Sequence, residues 1–244
     1  MKSMTPFVLA LGTALLAAVP APTLAQDYAA IIAAPDRAEA DRQTDQRRDP
    51  VKLLTFTGVK TGMTVLDMGA GGGYSTELMA RAVGPTGKVY GQDYETGARA
   101  KERFEARMKT DAMKNVVALA RPFDDPLPAE AGNLDLITFF FFYHDTTYMA
   151  VDRAVMNKKL FAALKPGGVL VIADHSAKPG AGTSVGKTLH RIEESTLRTE
   201  VEAAGFKLAA SADFLRHPED PRDERVFQPK TPVDEFVLKF QKPN

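Results

Sequence analysis

The sequence predicts an α/β fold with a largely parallel sheet, on three observations. Residues 65–75 read VLDMGAGGGYS: an apolar pair, an acid, glycines at 69, 71, 72 and 73, then the polar opening of a helical stretch, Thr76–Val83. Strand and helix patterns then alternate from Thr64 to Ala173, as βαβ units do. The chain ends on a helix, an Ala-Gly-Phe step, a strand, a long polar loop and a last strand.

The elements follow in order. Lys2, the apolar run Phe7–Val19, Pro20, Pro22 and the small residues around Leu24 make the three-part pattern of a secretory signal peptide. The run is short for a membrane span. Residues 1–25 are therefore expected to be cleaved, leaving an exported chain, periplasmic or secreted, with no stable membrane insertion. Residues 26–49 read as a polar arm with a short helix, mobile against a domain of residues 50–244. Asp49 and Pro50 suit the cap and first position of a helix over Val51–Phe56, stopped by Gly58. Strand one is Thr64–Met68. Strand two, Lys88–Gln92, ends at Asp93. Helix two is Ala98–Met108 and strand three Asn115–Leu119. Strand four, Leu134–Phe142, is nearly all apolar, as a strand covered on both faces should be. Asp145 is placed to cap a helix over Thr147–Leu164. Lys165-Pro166-Gly167-Gly168 leads into strand five, Val169–Ala173, closed by Asp174 and His175. A helix over Glu193–Ala204, strand six over Phe206–Ala210 and strand seven over Asp234–Phe240 complete the chain.

Composition removes several classes. Acidic and basic residues balance at 31 each, whereas nucleic-acid binders carry a basic excess or stripe, so no nucleic-acid partner is expected. There is no cysteine, which excludes disulfides, thiolate zinc sites, cysteine nucleophiles and cysteine-ligated iron–sulfur clusters.

The glycine stretch carries the chemistry. Glycine accepts φ > 0 and lets a ligand lie against the backbone, and the following helix N-terminus offers free N–H groups. A dinucleotide fold wants G-x-G-x-x-G, but Tyr74 stands where the third glycine should be, which weighs against a nicotinamide oxidoreductase. Asp67, Gly69, Gly71 and Gly73 instead fit D-x-G-x-G-x-G. This resembles the first motif of the class I S-adenosylmethionine-dependent methyltransferases. The Lys-Pro-Gly-Gly turn before strand five and the helix, Ala-Gly-Phe, strand, loop, strand ending are similar to that family too, over roughly Val51–Lys242.

The resemblance implies a Rossmann-like, seven-stranded sheet in the order 3-2-1-4-5-7-6, with strand seven antiparallel. It implies S-adenosyl-L-methionine as cofactor, with Gly69, Gly71 and Gly73 passing beneath its methionine part and Asp67 near its amino group. Asp93, an acid about 20 residues past the glycines, stands where the fold places a ribose ligand, with Glu95 as the backup. The family commonly sets an acid and an apolar side chain against the adenine after strand three, roles that Phe123 and Asp124 fit, with Asp125 a rival.

Ligands bind beyond the C-terminal ends of strands in such sheets, where Tyr143, His144 and His175 fall. They are the expected catalytic residues toward a small-molecule methyl acceptor, through oxygen or nitrogen, with a histidine as base. Residues 142–145, Phe-Tyr-His-Asp, differ from the Asn/Asp-Pro-Pro-Tyr/Phe motif of the branch that methylates DNA amino groups. A metal variant would use Asp145 and Asp174, but His175 stands where an amide ligand would be expected, so no metal is assigned. Segments 178–191 and 216–232 are long enough to act as lids, and Arg191 could pair with an acidic acceptor. A module that binds the cofactor or a related nucleoside without turnover is the competing reading.

Overall fold

The computed structural model describes residue 1 and residues 26–93 and 97–244. The expected signal segment and Glu95 lie outside them. Helices α1 (Tyr28–Ala33), α2 (Glu39–Arg48) and α3 (Pro50–Thr57) precede β1 (Thr64–Met68), α4 (Tyr74–Val83), β2 (Lys88–Asp93), α5 (Gly97–Arg107), β3 (Val116–Ala120) and β4 (Leu134–Phe140). A 3-10 turn over Tyr143–Thr147 leads to α6 (Arg153–Ala163), β5 (Leu164–His175), α7 (Gly186–Leu189), α8 (Glu194–Ala203), β6 (Lys207–Ala212) and β7 (Glu235–Gln241).

The sheet order is β3-β2-β1-β4-β5-β7-β6, as expected. β7 runs antiparallel to both β5 and β6. The other pairs are parallel. Side chains alternate between two cores, as the period of two requires. Val65, Leu136, Val171 and Val237 pack with α3 and α4 on one face. Leu66, Ile137, Ile172 and Leu238 pack with α6 and α8 on the other.

Four local expectations are corrected. β4 stops at Phe140 because Phe141 takes a left-handed φ of 57°, a backbone state that bulky side chains rarely adopt. The next helix starts at Arg153 and is capped by Asp152, whose carboxylate accepts from the N–H groups of Ala154 and Val155 at 3.0 Å. Asp145 sits instead in the 3-10 turn. β5 begins at Leu164, ahead of the glycine turn, through an irregular register opposite Leu134 and Leu136.

The fourth correction concerns the arm. Residues 26–49 are not a loose tether: α1 and α2 lie against the body. Arg37 makes a two-pronged pair with Asp45 (2.6 and 2.8 Å), and Asp45 accepts from the Tyr74 hydroxyl at 2.7 Å. Arg107 bridges Asp41 (2.6 and 2.9 Å) and Glu77. Charged residues on a polar helix pair here with half-buried partners on α4 and α5.

Candidate active site

Asp67 sits at 0% exposure beneath the glycine turn. Its carboxylate accepts from the hydroxyls of Ser75 (2.8 Å), Thr76 (2.7 Å) and Thr138 (2.7 Å). Burial raises its pKa, against the lowering pull of those three donors. Asp67 thus ties the end of β1 to the start of α4 and to β4, and its oxygens are occupied by the protein. The turn above is fastened to β2, with Ala70 N–H on the Gln92 carbonyl at 2.8 Å and Gly69 N–H on its side chain at 3.2 Å.

Two glycines are required by geometry. At Gly69 a Cβ would fall 2.9 Å from the Phe142 ring. At Gly71, φ is 53° and a Cβ would meet nothing nearer than 3.8 Å, so this backbone faces open space. Gly73 caps α4 with no side-chain partner on the first N–H groups.

Gly69, Gly71, Tyr74 and Ser75 open on a cavity of about 650 Å³, a size suited to a small-molecule cofactor. Its other walls come from the arm, through Asp41, Thr44, Arg47 and Arg48, and from Phe140–Phe142. Arg48 is the residue the sequence reading missed. Its guanidinium lies 4.4 Å over the Phe141 ring and 5.4 Å from that of Tyr74, and its buried Nε has no hydrogen-bond partner. Burial, then neighbouring Arg47, lowers its pKa to about 10. A guanidinium on a cavity wall whose Nε has no hydrogen-bond partner among the described residues can receive a ligand's carboxylate. The only signal in the sequence was the Arg47-Arg48 pair, read as a charge cluster.

Phe141 also stacks on His175 at 5.3 Å, and His175 lies 5.4 Å from His144. Both histidines are buried behind this wall. Asp174 holds them: one oxygen accepts from His144 Nδ1 at 2.7 Å and His175 N–H at 2.8 Å, the other from His144 N–H at 2.8 Å. Burial lowers the His144 pKa, but the carboxylates of Asp174 and Asp145 outweigh it and push the value up to about 10. Burial keeps His175 well below its usual value despite Asp174. Its Nδ1 approaches Glu235 Oε1 to 2.9 Å without hydrogen-bond geometry, so both atoms lack a partner. Glu235, at the start of β7, is raised to about 7 by burial, against Arg47 and Arg48. Of the two, His175 is the one that burial holds neutral.

Other expected residues fall elsewhere. Tyr143 belongs to the opposite core: its hydroxyl donates to Glu200 at 2.9 Å and accepts from Asn157 at 2.8 Å, so it does not line the cavity. Phe123 is buried in the same core, stacked on Phe142 at 5.1 Å and Phe139 at 6.1 Å, leaving no free ring face there. Asp124 accepts from Asp152 N–H at 3.4 Å, and Asp125 pairs with Lys159 and Arg121. Asp93 follows the Met68–Gln92 register pair, which sets it alongside Gly69. Its side chain borders a separate cleft against α5 and β3. Arg191 is 1% exposed and is held by Asp220 at 2.7 Å and the carbonyls of Ser176 and Glu224, so it cannot serve an acceptor. Both oxygens of Asp174 are taken by the two histidines and their backbone, so the Asp145–Asp174 metal pair does not form.

A profile of the family described as "Methyltransferase domain" matches residues 59–210. Demethylmenaquinone methyltransferase of Lactococcus lactis is 33% identical over 125 residues, 51% of this chain and 47% of its own length. The enzyme of that name from Staphylococcus aureus is 33% identical over 126 residues, 51% of this chain and 48% of its own. The chain thus spans about half the length of the curated relatives it matches. A solved SAM-dependent methyltransferase from Aquifex aeolicus superposes with a TM-score of 0.58 at 21% identity, over 79% of this chain and 89% of that one, which shows the shared fold. The chain belongs to the class I S-adenosylmethionine-dependent methyltransferases, and S-adenosylmethionine is its cofactor.

Proposed function

We propose that this protein transfers the methyl group of S-adenosylmethionine to an oxygen or nitrogen of a small-molecule acceptor, as an exported enzyme. The observation that carries the reading is the open backbone of Gly71 at the head of a cavity walled by Arg48. The glycine turn and the start of α4 hold the methionine part of the cofactor, and Arg48 its carboxylate. The bound sulfonium supplies an activated methyl group, so the protein's tasks are positioning and exclusion of water. The arm performs the second task by closing one side of the cavity. His175, neutral and backed by Glu235, is suited to take the acceptor's proton once Phe141 moves aside. The curated relatives are named for demethylmenaquinone, which supports a small acceptor.

The test is incubation of the purified chain with methyl-labelled cofactor and a small-molecule extract rich in hydroxyl and amine compounds. Label in a low-molecular-mass product, lost in His175→Ala with cofactor affinity retained, is the expected result. Label confined to added nucleic acid or protein would overturn the acceptor class.

A further inference from the structure

Beyond Phe141 and His175 lies a group of side chains to which the proposed function assigns no role. His144 Nε2 is 3.2 Å from Asp145 Oδ1, and His190 Nδ1 is 3.1 Å from the same oxygen. One ligating atom from each of the three lies within 4.8 Å of the others.

We propose that His144, Asp145 and His190 bind a divalent transition-metal ion of the zinc type. Atoms bound to one ion at about 2.0–2.2 Å stand roughly 3.0–3.5 Å apart, and two of the three spacings already meet that. Two imidazoles and a carboxylate suit zinc, cobalt, nickel or iron better than magnesium or calcium, which take oxygen.

The surroundings are built as metal sites are. Asp174 accepts from Nδ1 of His144, which turns Nε2 of that ring toward Asp145. A carboxylate behind a ligating histidine fixes its tautomer and raises its basicity. Tyr148 donates its hydroxyl to Asp145. His190 holds a left-handed φ of 57°, an unfavourable state for a side-chain-bearing residue, and in it the ring meets Asp145. Phe227 packs edge-on at 4.8 Å. Without metal the same atoms share protons, and the ion takes their place.

Three protein ligands leave a position for water or an acceptor oxygen, which the ion would acidify. That consequence rests on the methyl-transfer reading; binding of the ion does not, and is measured with no cofactor present.

The experiment strips the full chain with chelator, then titrates it with Zn²⁺ by calorimetry and with Co²⁺ by visible absorption. One equivalent should bind, and cobalt should show the intense bands of a low-coordinate site. His190→Gly, which suits the left-handed backbone, should bind neither ion while remaining folded. Asp174→Asn should weaken zinc by about 10–100-fold. His217→Ala, a solvent-facing histidine beside Glu219, should bind as the wild type does. Wild-type affinity in His190→Gly, or no stoichiometric binding by the wild type, would overturn the proposal and leave a hydrogen-bonded cluster.

Discussion

At Glu235, burial outweighs Arg47 and Arg48, and the carboxyl keeps its proton up to about pH 7, against 4.5 in an unfolded chain. Between those values the folded state binds more protons, so stability falls as pH rises. Glu235→Gln removes that loss. Relative to wild type, the variant should gain about 3 kcal/mol between about pH 4 and about pH 8, read from urea unfolding at each pH. A difference that does not change with pH would mean that the carboxyl is ionised in the fold. The strand, turn and helix start that hold Asp67 and Gly71 were legible, because they form from near neighbours in sequence; the hydroxyls of Ser75, Thr76 and Thr138 on Asp67 were not. Arg48 and Glu235 were not, because each gains its role from partners far away in the chain, and a charged residue in isolation reads as surface.

Helix α2 shows the same limit one level up. Its sequence, EADRQTDQRR, has no apolar face, so it reads as a solvated segment. Its partners, Tyr74 and Arg107, belong to two helices that only the fold brings together. The run of phenylalanines at 139–142 likewise reads as continuous strand. The left-handed turn at Phe141 depends on packing against His175 and Arg48, which no local pattern encodes. Arg107 is the centre of the arm's attachment, with the side chains of Asp41 and Glu77 at 9% and 7% exposure. Arg107→Ala leaves the Asp41 carboxylate buried without its partner, while Glu77 keeps Arg81 at 2.9 Å. It should cost about 3–5 kcal/mol in urea unfolding at neutral pH, and expose the arm to protease before the domain unfolds. A stable variant with a protected arm would show that other contacts hold it.

At the scale of the whole molecule, the strand order and the antiparallel last strand were legible through the resemblance that the glycine motif, the Lys-Pro-Gly-Gly turn and the helix, strand, loop, strand ending carry, and the sheet has that order. The candidate cavity lies where such sheets bind ligands, at the C-terminal ends of β1 and β4. Its full wall was not legible, since α2, which closes it, precedes the domain and carries no hydrophobic signal. Among the described residues no helix is long and apolar enough to cross a membrane. The account's central claim is that the space above Gly71 holds S-adenosylmethionine. Calorimetric titration of wild type and Gly71→Val with that cofactor tests it most directly. Val at a φ of 53° is strained, and its methyl groups enter the open space above the turn. Wild type should bind one equivalent, and Gly71→Val, still folded by circular dichroism, should bind none. Equal affinity in the two proteins would contradict the claim.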